Sequence, residues 1–146
     1  MLLIGQSLGG HTAMLVAARH PDLVARLVLI EASPERDDGV VERVRAYFEG
    51  NPSAYGAPVD PDAVAQTVAE LEERDWWDEF GRIQCPVLIV RGEHGHLDPE
   101  VVASMQAANR KAGAVTIAGA GHDVHLDEPD ALAEAIQAWL SSTSAT

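Results

Sequence analysis

LIGQSLGGHTAML, Leu3 to Leu15, decides how the rest of the chain is read. A short apolar run meets Gly5, a lone serine stands at Ser7, and an apolar helical pattern begins at Leu8. Gly5-Gln6-Ser7-Leu8-Gly9 fits the pattern G-x-S-x-G, set between a strand and a helix. Glycines two residues either side of Ser7 let strand and helix pack closely around a strained turn, which exposes the hydroxyl at the sheet's carboxyl edge. The backbone N–H of Leu8, at the start of that helix, would point at an oxyanion. By chance alone, roughly one chain in twenty of this length would match the pentapeptide at average residue usage. The weight therefore rests on what flanks it.

Working outward, Met1 to Ile4 reads as the end of a buried strand, and Leu8 to Arg19 as a helix closed by His20-Pro21. RLVLI, Arg26 to Ile30, is a second buried strand, and PVLIVR, Pro86 to Arg91, a third without polar alternation. Asp98-Pro99-Glu100 is a helix start with an N-cap, and Gly113 is expected to close that helix. Ala114 to Ile117 is a fourth short strand. Glu128-Pro129-Asp130 opens a last helix to about Leu140, with a frayed SSTSAT tail. Continuous apolar strands alternating with helices predict an α/β fold, a mostly parallel sheet covered on both faces.

Between Glu35 and Phe80 lie 13 of the 23 acidic residues but only 4 of the 10 basic ones, with breaks at Gly50-Asn51-Pro52 and Gly56-Ala57-Pro58. This stretch reads as an inserted, solvated helical cap. The division expected is a core over 1–34, a cap over 35–81 and the rest of the core over 82–146. Trp76-Trp77, near the cap's end, would pack the cap or wall an apolar pocket. The net charge of −13 argues against nucleic acid or an anionic membrane as partner. No apolar run approaches the ~20 residues of a membrane span. The single Cys85 excludes an internal disulfide, which makes a reducing cytoplasm the default.

Serine is a poor nucleophile at neutral pH and needs a base, which in turn needs an orienting acid. His122, in GAGHDVHLDEP, lies in a Gly-flanked loop after the fourth strand, where a base could reach Ser7. His125 is a second candidate that fits packing or capping better. His11 lies inside the first helix and reads as a packing residue, and His20 as a helix terminus. His94 and His96, with His122 and His125, raise a metal site as a minor alternative, unsupported by any H-E-x-x-H helix or cysteine cluster.

GQSLGG, ARLVLIEASP, CPVLIVRGEHG and GAGHDVHLDEPDALAEAIQAWL, in that order, resemble the α/β-hydrolase fold family over nearly the whole chain. The resemblance implies a serine hydrolase, esterase-like, with a Ser-His-acid triad and no cofactor, acting on a small acyl substrate such as an ester or lactone. By it Ser7 is the nucleophile, His122 the base and 35–80 the cap. Many members carry the acid in G-x-x-D after the strand matching PVLIV; here Gly92-Glu93-His94-Gly95 puts glycine in the aspartate's place. Three carboxylates could substitute: Glu31 at the preceding strand end, then Asp98, then Glu93. The family also implies four more strands ahead of the nucleophile and a second oxyanion donor among them. The chain is accordingly expected to be a carboxyl-terminal portion, paired at Met1 to Ile4 with a missing amino-terminal half or in a homodimer. A non-catalytic fragment acting as an interaction module is the alternative from another class.

Overall fold

The computed structural model describes residues 1–53, 56–71 and 73–143. Strand β1 (Leu2–Gln6) leads into helix α1 (Leu8–Arg19), and β2 (Arg26–Ile30) follows. Helices α2 (Val40–Gly50), α3 (Pro61–Leu71) and α4 (Trp77–Gly81) precede β3 (Val87–Gly92) and α5 (Pro99–Ala108). Then come β4 (Ala112–Ile117), the short α6 (Val124–Asp127) and α7 (Pro129–Thr143). Residues 141–143 of the expected tail are helical, and 144–146 lie outside the described residues. No helix among the described residues is long and apolar enough to cross a membrane.

The four strands pair in parallel in the order β1-β2-β3-β4. The apolar runs of the two central strands, β2 and β3, show no polar alternation because both of their faces are covered. Val28, Ile30, Leu88 and Val90 point to one face, where they join Leu132 of α7 and, half-buried beside them, Trp139. Their neighbours Leu27, Leu29, Val87 and Ile89 point the other way by the two-residue period of a strand, and are at most 1% exposed. Helix α1 links β1 to β2 and α5 links β3 to β4, and right-handed crossovers in one direction put both on that second face. Helix α4 packs between them, with Phe80 fully buried. Strand β1 lies at the sheet's edge, where Leu2 and Ile4 are exposed.

The chain divides into two compact units, Met1–Pro34 with Trp77–Thr146, and Glu35–Trp76. In the second, α2 packs on α3 through Phe48, Ala65 and Val68, and Arg45 pairs with Asp62 at 3.2 Å. Residues 77–81, inside the stretch expected as cap, form α4 and group with the first unit. The two tryptophans differ accordingly: Trp76 carries the Arg74 guanidinium 3.8 Å above its ring, while Trp77 meets Phe80 edge-on.

Gly113 does not close α5. That helix ends at Ala108, and Gly113 sits inside β4. Asn109 stops it instead: the buried amide donates to the carbonyls of Phe80 and Ile83 and accepts from the N–H of Lys111. These bonds hold its backbone in an extended conformation that a helix cannot continue.

Candidate active site

The parallel register brings the strand ends to one edge. Gln6 pairs with Ile30 and Ile30 with Val90, so Ser7 and Glu31 are each the first residue past a paired end. The ladder continues one step beyond: Ser7 N–H donates to Ile30 O and Glu31 N–H to Val90 O, both at 2.9 Å. Both residues also sit in the left-handed region, at φ 49° and φ 48°, the only described non-glycine residues with positive φ. A non-glycine side chain there is costly, and such strain collects at functional sites.

The turn around Ser7 forms because α1 lies almost against β1. A Cβ on Gly5 would stand 2.3 Å from Gly9 O and 2.9 Å from the Ala13 Cβ. One on Gly10 would stand 2.4 Å from the Ala32 Cβ. The pentapeptide pairs Gly5 with Gly9, but a Cβ on Gly9 would meet nothing within 4 Å, and Gly10 is the second close approach. Ser7 is the N-cap of α1 without a capping side-chain bond, and its carbonyl accepts from the N–H groups of Gly10 and His11. Leu8 opens the first turn, where backbone N–H groups have no partner within the helix.

Glu31 and His122 meet. His122 Nδ1 lies 3.3 Å from Glu31 Oε2, and the Glu31 side chain is wholly buried while that of His122 is 28% exposed. Glu31 also accepts from three backbone N–H groups, Gly92 at 2.8 Å, His96 at 2.6 Å and Leu97 at 3.2 Å. Burial raises the carboxyl's pKa, but the bonds from His122, Gly92, His96 and Leu97 overcome that and leave it below its ordinary value. A carboxylate only accepts, so His122 Nδ1 must carry the proton and Nε2 is left as the basic nitrogen. The His96 ring stacks on that of His122, with centroids 4.6 Å apart.

Gly95, the apparent departure from G-x-x-D, has a spatial cause. A Cβ there would fall 2.3–2.4 Å from Oε1, Cδ and Oε2 of Glu31. The space beside His122 holds one carboxylate, and it arrives from β2 rather than from the loop after β3. The other two candidates are engaged elsewhere. Asp98 caps α5 by accepting from Glu100 N–H at 2.7 Å, and Glu93 accepts from Gly119 N–H at 2.9 Å.

Two residues take roles that the sequence does not signal. Gln6 fills the variable position of the pentapeptide, yet its amide reaches the His122 loop across the sheet edge. His96, which the sequence raises only as a metal-ligand alternative, instead donates its N–H to Glu31. His125, on α6, places Nδ1 2.6 Å from Gln6 Oε1. His11 is half-buried with Nδ1 3.2 Å from Ser7 O, and His20 follows α1 as its C-cap. Among the described residues no three His, Cys, Asp or Glu side chains converge as a metal-binding group. Cys85 is buried, and burial pushes its thiol pKa up.

A family model described as alpha/beta hydrolase family matches residues 2–135. The chain belongs to the alpha/beta hydrolase family. It is similar to the esterase Rv0045c of Mycobacterium tuberculosis, 25% identical over 96% of this chain and 60% of that protein. The esterase YbfF of Escherichia coli is also 25% identical, over 94% and 66%. Among solved structures, an E-2-(acetamidomethylene)succinate hydrolase superposes with a TM-score of 0.79 at 25% identity, over 96% of this chain and 66% of that one. The chain thus spans about two thirds or less of the length of these relatives.

Proposed function

We propose that this hydrolase is a serine esterase that cleaves a carboxylic ester, lactone or related acyl bond through an acyl-enzyme on Ser7. The observation that carries the reading is the shared strand-end edge, where Ser7 is held at positive φ beside the Glu31–His122 pair. In the reaction the Ser7 hydroxyl adds to the substrate carbonyl while His122 Nε2 takes its proton. The N–H of Leu8 donates to the oxyanion, and Glu31 holds the imidazole in its Nδ1–H form and stabilises the imidazolium. The tetrahedral intermediate collapses, the alcohol leaves with the proton from His122, and water repeats the sequence to release the acid. No step calls for a metal or an organic cofactor. The relatives support acyl chemistry, since they include esterases and hydrolases of acylaminomethylene succinates.

The test is intact-mass analysis after treatment with a fluorophosphonate. One adduct is expected, absent from Ser7→Ala and lost or much slowed in His122→Gln. A folded chain that takes no adduct, or one that Ser7→Ala still takes, overturns the reading.

A further inference from the structure

Gln6 joins the turn that carries Ser7 to the loop that carries His122. Its Nε2 lies 3.0 Å from the backbone oxygen of His122 and 3.2 Å from Asp123 Oδ1, while His125 Nδ1 lies 2.6 Å from its Oε1. These partners stand 116, 117 and 119 residues away along the chain. The chemistry of the set fixes every proton in it. A peptide oxygen and a carboxylate can only accept, so the amide must turn its NH₂ toward His122 and Asp123. Its oxygen then faces His125, and an amide oxygen also only accepts. His125 Nδ1 must therefore be the donor. Gln6 is half-buried, and its peptide bond leads directly to Ser7, whereas its amide holds the main chain of His122 itself.

We infer that Gln6 is a positioning residue that sets the distance between Ser7 Oγ and His122 Nε2. The inference rests on the hydrolase reading above and adds to it a residue that touches neither substrate nor reacting atoms. Glu31 fixes the rotation of the His122 ring from one side, through Nδ1. Gln6 fixes where the main chain beneath that ring stands relative to the nucleophile turn. With the amide removed, the histidine loop would keep its holds on Glu31 and on the loop after β3, through the His96 stack, His94 N–H to Ala120 O and Gly119 N–H to Glu93, but would lose these bonds to the Ser7 turn. The gap between nucleophile and base would then vary. Proton transfer tolerates little variation, and a misplacement of about 1 Å can cost about 10²-fold in rate.

Two measurements test this on the full chain. The first needs no substitution: the ¹⁵N shifts of the neutral histidines are recorded in the wild type. His125 is expected as the Nδ1–H tautomer, the form set by a hydrogen bond at that nitrogen. An Nε2–H tautomer at His125 means that the amide is not held as described, and overturns the inference. The second compares fluorophosphonate labelling of Ser7 in the wild type with Gln6→Met, which keeps length and loses both polar atoms, and with Gln6→Glu. The glutamate retains an acceptor for His125 but no donor for His122 or Asp123. Both variants are expected to lower the maximal labelling rate about ten- to hundredfold, while the half-saturating probe concentration moves less than about threefold. Only Gln6→Met should also change the His125 tautomer. A merely structural role would lower the melting temperature and leave this split unmoved. If the wild type is labelled and Gln6→Met is labelled equally fast, the role of Gln6 falls and the hydrolase reading stands. If the wild type is not labelled at all, that reading falls and the role falls with it.

Discussion

Gly95→Ala adds one methyl group and should displace the Glu31 carboxylate, the proposed acid, without changing it chemically. The new Cβ would lie 2.3–2.4 Å from all three terminal atoms of Glu31, so the carboxylate must retreat by about 1 Å to reach ordinary contact. Glu31 is held at 2.8, 2.6 and 3.2 Å by three backbone N–H groups, and such a retreat carries at least one of them out of hydrogen-bond range. A hydrogen bond to a charged group contributes about 1.5–3 kcal/mol, which sets the expected loss of stability. Activity should fall further. Removing the acid's hold on the histidine costs about 10⁴-fold in a serine-protease triad, and a partial misplacement about 10²-fold, so the expected fall lies between those figures. The assay is the rate of fluorophosphonate labelling at Ser7, with a urea melt on the same sample. A compensating pair sharpens it: Gly95→Asp with Glu31→Ala brings a carboxylate into the same space from the other loop, and should be labelled faster than Glu31→Ala alone. Gly95→Ala labelled within about threefold of wild type, with an unchanged melt, refutes the reasoning.

Asp98→Ala should cost about 1 kcal/mol, the usual value of an N-cap, and leave the labelling rate of Ser7 unchanged; slowed labelling at intact fold would make Asp98 part of the site. Glu31 has a folded pKa below its unfolded one, so its contribution to stability is present above the ordinary carboxylate range and is lost as pH falls through the folded value. The advantage of wild type over Glu31→Gln in urea midpoint should therefore shrink on acidification, and a constant or widening gap would contradict the hydrogen-bond account. Gly5→Ala places a methyl 2.3 Å from a backbone oxygen of α1 that cannot yield alone, and should cost about 1–3 kcal/mol in a denaturant melt. Gly9→Ala, facing open space, should cost clearly less at the same readout.

The parts of this protein that were legible in its sequence are those that neighbouring residues settle together. RLVLI and PVLIVR are strands buried on both faces because their runs are apolar at every position, and that alone calls for a parallel sheet with helices on each side. The elbow at Ser7 is legible because a strand, a tight turn and a helix follow one another within a few residues. Helix α5 begins where Asp98-Pro99 says it should, but its end depends on Asn109 binding carbonyls some 26 to 29 residues earlier, which no local pattern announces.

The site itself divides in the same way. Ser7 and His122 stand in short glycine-flanked segments that single them out. The acid does not. Glu31, Asp98 and Glu93 each had a local argument, and only the parallel register, which puts the ends of β1, β2 and β3 side by side, brings Glu31 against His122 from 91 residues away. Gly95 shows the limit most plainly: along the chain it is a missing aspartate, and in space it is the room that the Glu31 carboxylate occupies. Gln6 and His125 meet only because β1 and the loop after β4 end at the same edge of the sheet. The sequence by itself determined which segments fold and which serine and histidine they present. Which carboxylate meets that histidine, and which amide spans the gap, was decided by tertiary structure alone, because hydrogen bonds depend on distance in space and carry no trace of separation along the chain.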